Sequence, residues 1–163
     1  QFRRFGLIAD PQNTSNTDLT ANTATACYAI KFPSSTTDNF EPGNIITQST
    51  TEAKGRVIHW GSVTKVLRYY QNEFIDEDQA SPNADQLVLF SGANSITATT
   101  SQGSVTMTPD TGTSGDYFGV TFTNGYSTPE IKKNSGNIIY VENRKAVNRS
   151  NDQIEDIKLV IEF

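Results

Sequence analysis

The chain's reactive and recognition groups include eighteen acidic side chains, one histidine, one cysteine and one tryptophan. Two carboxylates facing one cleft would suffice for glycoside hydrolysis, one donating a proton while the other attacks or activates water. With eighteen acids, chance pairs are unavoidable, and no spacing in the sequence assigns two of them to one cleft. Asp76-Glu77-Asp78 and the run Asp110 to Asp116 are rich in the oxygen ligands calcium prefers, but neither has EF-hand spacing. Both read as solvated charge clusters, the first in an exposed acidic loop spanning 73–86. His59 is alone, which removes every multi-histidine metal site and leaves a Ser-His-Asp relay without support. Cys27 is also alone, so the chain contains no internal disulfide or multi-cysteine metal site. Neither the dinucleotide glycine pattern nor the P-loop pattern occurs. These readings lead to no catalytic residue, no metal ligand and no cofactor.

Two constellations remain, and both are suited to recognition. Trp60, Tyr69 and Tyr70 are candidates for a glycan-stacking platform, although strand alternation sends Tyr69 and Tyr70 to opposite faces and at least one toward the core. The second is a polar stretch near the end of the chain with Tyr140, Glu142, Asn143, Arg144, Arg149, Asp152, Gln153 and Glu155. Cations come first and anions second, a pattern that suits either a solvated loop or a charged docking surface that fixes partner choice and register.

The elements that must carry these residues are strands. Hydrophobic residues make up 35% of the 163, while Ser, Thr and Asn are abundant, a mixture poor in helix formers. Short strands are expected over 2–9, at Tyr28–Phe32 (half-buried by its alternation), near Ile45–Gln48, over Arg56–Trp60 and at Val66–Tyr70. Further strands are expected at Leu87–Phe90, around Val105 and Met107, over 118–122 before the turn pair Asn124-Gly125, at Ile138–Val141 and at Ile157–Phe163. Pro129–Asn134 has the makings of one helical turn closed by Gly136. In the last strand Ile157, Leu159, Ile161 and Phe163 share one face, which is expected to be buried. The formal net charge of −5 argues against duplex nucleic acid and against an anionic membrane surface as partners. Gln1 in place of Met suggests a piece of a longer protein.

Ser135-Gly136, Ile139-Tyr140, Glu142-Asn143-Arg144, Asp152-Gln153, Glu155 and Phe163 resemble, in order and spacing, the C-terminus of the baseplate wedge proteins encoded by gene 8 in T-even-like contractile phages. The opening Phe2-Arg3 through Asp10-Pro11 resembles a strand and turn upstream in that family. Between them, FEPGNIITQSTTEAKGRVIHW looks like a small β module of T-even-like cyanophage structural proteins. The resemblance covers the first dozen residues and the last thirty to forty, and it does not reach the middle. It implies a non-enzymatic structural protein of the virion's tail baseplate, assembled in the host cytoplasm. It further implies homodimerisation of the full-length protein and packing against other baseplate wedge subunits. The expected architecture is all-β, antiparallel and sandwich-like, with little or no helix. Residues 1–37 and 126–163 would form the wedge-type domain, with 38–125 as an inserted β module.

Overall fold

The computed structural model describes residues 3–20, 25–76, 83 and 85–144. Within them the chain is all-β and antiparallel, without a helix. The expected terminal strand at Ile157–Phe163 lies outside the described residues, as do Arg149, Asp152, Gln153 and Glu155.

The strands in chain order are β1 (Arg3–Ala9), β2 (Tyr28–Lys31), β3 (Ile45–Gln48), β4 (Lys54–Gly61), β5 (Val66–Tyr70) and β6 (Ile96–Thr100). They continue with β7 (Gly103–Met107), β8 (Gly115–Tyr117), β9 (Val120–Phe122), β10 (Tyr126–Ser127) and β11 (Asn137–Arg144). Seven of them form one sheet in the order β10-β2-β5-β4-β3-β6-β7, while β8 pairs with β9 and β1 with β11. The sheet curls around a core of Ile30, Phe32, Phe40, Ile46, Ala53, Val57, Leu67, Tyr69, Phe90, Ile96, Ala98 and Met107. Each large aliphatic or aromatic side chain fully buried there contributes about 1.5–3 kcal/mol before the entropy of ordering it. A two-layer arrangement exists where the β8–β9 hairpin lies on the outer face of the sheet, enclosing Ala29, Val66, Val120 and Phe122.

The hydrogen-bonded sheet crosses both boundaries of the expected inserted module. β2 and β10, from the expected wedge-type domain, sit in the same sheet as β3 to β7.

Gln48 sits wholly buried at the end of β3 with all four amide valences used. Its Nε2 donates to the Asn94 carbonyl and to Tyr126 Oη, each at 3.2 Å. Its Oε1 accepts from Thr51 Oγ1 at 2.8 Å and from Ser91 N at 2.9 Å. Tyr126 Oη in turn donates to the Gly92 carbonyl at 2.6 Å. This network joins edge strand β10 to β3, which lies four places away in the sheet order, and so latches the curl.

Several local expectations change for physical reasons. β2 is buried on both faces rather than one, because the β8–β9 hairpin covers its outer side. Lys31 is therefore buried, its ammonium donating to the Phe32 carbonyl and lying 5.1 Å from the centre of the Tyr117 ring. Desolvation lowers its pKa, Asp110 opposes that shift, and Lys65 adds to it. The expected strand over 118–122 is split: Phe118 (φ 53°) and Gly119 (φ 71°) form the two-residue turn of the hairpin, and only Val120–Phe122 is strand. Leu87–Phe90 is not a strand, and only Phe90 of its large residues is buried. Pro129–Asn134 makes no helix, since Ile131 bridges to Asn13 and Lys132 N donates to the Gln12 carbonyl.

The expected turn at Asn124-Gly125 is present, with φ of 50° and 79°. Thr123 and Tyr126 exchange two backbone hydrogen bonds across it. Gly125 also admits no side chain, because a Cβ there would press into the Asp110 backbone. Its carbonyl accepts from Lys31 N and its amide donates to Thr113, so the turn holds the 110–113 loop against β2.

Candidate functional site

Asp76, Asp110 and Asp116 take structural roles. Asp76 is buried against Lys54 Nζ at 2.5 Å, a correction to its reading as part of an exposed acidic loop. Glu77 and Asp78 lie outside the described residues. Asp110 caps its own turn, Oδ1 accepting from Gly112 N at 3.2 Å and Oδ2 from Thr113 Oγ1 at 2.9 Å. Asp116 Oδ1 likewise accepts from Gly119 N at 3.1 Å. Among the described residues, no three of His, Cys, Asp and Glu gather closely enough to hold a metal ion.

The three aromatics of the glycan reading do not share a surface. Trp60 packs edge-on against Phe32 and Phe40 at centroid distances of 5.7 and 5.6 Å. Its indole N–H donates to Asn39 Oδ1 at 2.8 Å, so the ring closes the core rather than standing free. Tyr69 is 2% exposed, stacked on Tyr28 at 5.4 Å and edge-on to Phe90 at 5.1 Å. Burial pushes its hydroxyl pKa well up. Tyr70, on the opposite face as alternation requires, is 41% exposed and accepts from Arg56 Nε at 3.0 Å.

Tyr70 instead joins a groove that sequence reasoning missed. A cavity of about 470 Å³ opens between Tyr28, Tyr70, Leu87, Pro129 and Ile131, with Asn72, Glu73 and Lys133 at its polar side. That volume falls within the usual range for small-ligand sites. Glu73 and Lys133 form an exposed ion pair at 3.6 Å. The pKa of Glu73 is lowered, first by its own backbone amide and then by Lys133. The groove is assembled from five separate stretches of chain, and of its lining residues only Tyr70 was among the sequence candidates for a glycan contact.

The other surface is the β1–β11 ribbon. Its register pairs Arg3 with Arg144, Arg4 with Asn143, Phe5 with Glu142, Gly6 with Val141 and Leu7 with Tyr140, then slips so that Ile8 meets Ile138. The slip leaves Ile139 as the extra residue of a β-bulge. At its base, Gln12 N donates to Ser135 Oγ at 3.0 Å, and Thr25 N donates to Glu130 Oε2 at 3.0 Å. Gly136 (φ 82°) passes so close to the Ala9 carbonyl that a Cβ would sit 2.6 Å from it.

The register puts Ile138 (opposite Ile8) and Val141 (opposite Gly6) on one face and Tyr140 (opposite Leu7) on the other, with Ile139 in the bulge. Yet all four are exposed, Ile138 at 71%, Val141 at 59%, Tyr140 at 47% and Ile139 at 67%. Leu7 and Ile8 on the partner strand are more than half exposed as well. Of the sequence-predicted interface residues, Tyr140 and Glu142 are thus on this ribbon, with Asn143 and Arg144 continuing its backbone pairing. The larger apolar component, Leu7, Ile8, Ile138, Ile139 and Val141, was read from sequence only as strand. Its exposure depends on what does not cover it, which strand alternation cannot reveal.

Comparison with known proteins found no matching family model, no matching curated protein and no matching solved structure.

Proposed function

We propose that this chain is a non-enzymatic assembly element of a contractile-phage tail baseplate wedge, acting through the β1–β11 ribbon and the polar stretch that follows it. The observation that supports this reading is the ribbon's two-sided apolar exposure. A two-stranded ribbon is marginal alone in water, and its free edges and apolar faces favour association with another chain. A contiguous apolar surface of this kind is characteristic of protein contacts. The flanking Glu142 and Arg144 would supply charge complementarity and set the register of such a contact. The sequence resemblance to gene 8-type wedge proteins lies in the same residues. Under this reading the full-length protein is a homodimer that contacts other wedge subunits in the virion.

The direct test is a density map of the assembled baseplate. The chain is expected within the wedge with Ile138–Val141 covered by a neighbouring subunit. A map placing it elsewhere, or leaving both ribbon faces in solvent, rejects the reading.

A second reading rests on the tyrosine-lined groove, whose aromatic walls and polar side suit stacking on a sugar ring while its hydroxyls are hydrogen-bonded. Here the contact moves from Trp60 and Tyr69 to Tyr70 and Tyr28. If the groove binds glycans, an array shows saturable binding that Tyr70→Ala weakens about tenfold, the loss of roughly one stacking interaction. Trp60→Phe, which preserves core packing, leaves that binding unchanged. An array without any saturable signal leaves assembly as the sole reading.

A further inference from the structure

Arg68 is a cation without an acceptor. It lies half-buried on the outer face of β5, and its Nε is shut off from solvent with no hydrogen-bond partner. No hydrogen bond or ion pair reaches its guanidinium among the described residues. The neighbouring Arg56 differs, since its Nε donates to Tyr70 Oη and its Nη1 to the Gly43 carbonyl. Five donors in a planar fork are rarely left idle in a partly buried position.

The surroundings form a cleft. His59 is the direct cross-strand partner of Arg68 in the β4–β5 pairing. Together with Thr64, Val66, Phe118 and Val120 these residues enclose about 150 Å³ between the sheet and the β8–β9 hairpin. Val66 and Val120 are buried and give it an apolar floor. No acidic side chain is among the lining residues. Phe118 stands at the rim, 62% exposed and held at a positive φ of 53°. A phenylalanine in the left-handed region is strained, and such strain concentrates at binding and functional positions. Its ring is braced edge-on by Tyr117 at 4.7 Å, which keeps it beside the cleft.

We infer that this cleft receives a single acidic side chain from a partner protein, its carboxylate taken by Arg68 and its methylenes laid between Phe118 and the Val66–Val120 floor. The volume is too small for a drug-sized ligand but suits one side chain. The planar fork of a guanidinium matches a carboxylate, and one arginine supplies the charge that a single carboxylate needs. Capture of a chain's terminal carboxylate ordinarily uses a nest of free backbone amides, whereas β5, paired on both sides, commits its amides to ladders. His59 and Thr64 supply further polar atoms at the cleft wall. This site is separate from the ribbon and stands whether or not the ribbon is an assembly surface.

The test is an amide-resolved NMR titration of the isotope-labelled chain with N-acetylglutamic acid α-amide, whose only acid is the side-chain carboxylate. Saturable shifts are expected at Thr64–Arg68 and Phe118–Val120. Arg68→Gln should weaken the response about tenfold, the scale of one charge-assisted hydrogen bond. Arg56→Gln should leave it unchanged. Phe118→Gly relieves the backbone strain, so it folds at least as well, yet it should weaken binding about threefold by removing the wall. The variant keeps the test decisive even if Arg68→Gln fails to fold. The inference is overturned by shifts that never saturate, by Phe118→Gly or folded Arg68→Gln binding as well as wild type, or by tighter binding of N-acetylalanine or inorganic phosphate.

Discussion

Gln48→Leu is expected to destabilise the chain by about 2–4 kcal/mol, although leucine is apolar, similar in size and placed in a buried position. The substitution removes four hydrogen bonds made by a single side chain to Asn94, Tyr126, Thr51 and Ser91. Each buried donor or acceptor left without a partner costs about 1–3 kcal/mol. Tyr126 Oη keeps its bond to the Gly92 carbonyl, and the Thr51 hydroxyl is free to turn, so the full sum is not reached. The apolar burial of leucine offsets part of the remainder. For a chain of this size the net loss corresponds to a fall in Tm of about 4–16 °C. A double-mutant cycle with Tyr126→Phe isolates the latch between β3 and β10, and a coupling of about 1 kcal/mol is expected. Thermal denaturation showing Gln48→Leu within 0.5 kcal/mol of wild type (about the scatter of an ordinary surface substitution) would mean that the curl does not depend on this network.

The strands that carry their alternation on large side chains were readable from sequence. Ile45–Gln48 and Val66–Tyr70 have the expected ends, and the opposite fates of Tyr69 and Tyr70 follow from period two alone. β6 was missed because Ile96, Ala98 and Thr100 bury a face in which only one residue is large. Its pairing with β3 and β7, not its own hydrophobicity, makes it a strand. Non-local covering explains the other differences. Lys31 is buried because a hairpin some ninety residues further along the chain lies on β2, and Asp76 because Lys54 reaches it from β4. Trp60 looked like an exposed platform by residue type but is held by Phe32, Phe40 and Asn39. For the candidate site the limit is similar: Tyr140 was legible as a strand residue, while the idle Arg68 and the tyrosine-lined groove exist only once distant segments meet.

If the ribbon is the proposed wedge contact, replacing both Ile138 and Val141 with threonine should weaken association with wedge subunits at least 100-fold while leaving the chain's own stability unchanged. Threonine keeps the β-branched shape that strands favour, so the backbone pairing with β1 is preserved. Both side chains are mostly exposed in the isolated chain, and surface substitutions of this kind shift stability by about 0.5 kcal/mol or less. In a packed interface the same two positions would be fully desolvated, where the lost methyl area and the buried threonine hydroxyl together cost about 1.5–3 kcal/mol at each. The sum, about 3–6 kcal/mol, is at least two factors of ten in affinity. The split between the two readouts separates an interface from a surface that is merely apolar. Reconstitution with purified wedge subunits, followed by sedimentation and by denaturation of the variant alone, measures both. Undiminished incorporation of a folded double variant would remove this ribbon face from the assembly contact. The matching change on the opposite face, Leu7→Thr, then decides whether the ribbon engages a partner with one side or with two. A contact that reads both faces must clasp the ribbon between two surfaces, as the symmetry of its exposure suggests, so both variants should then fail to incorporate.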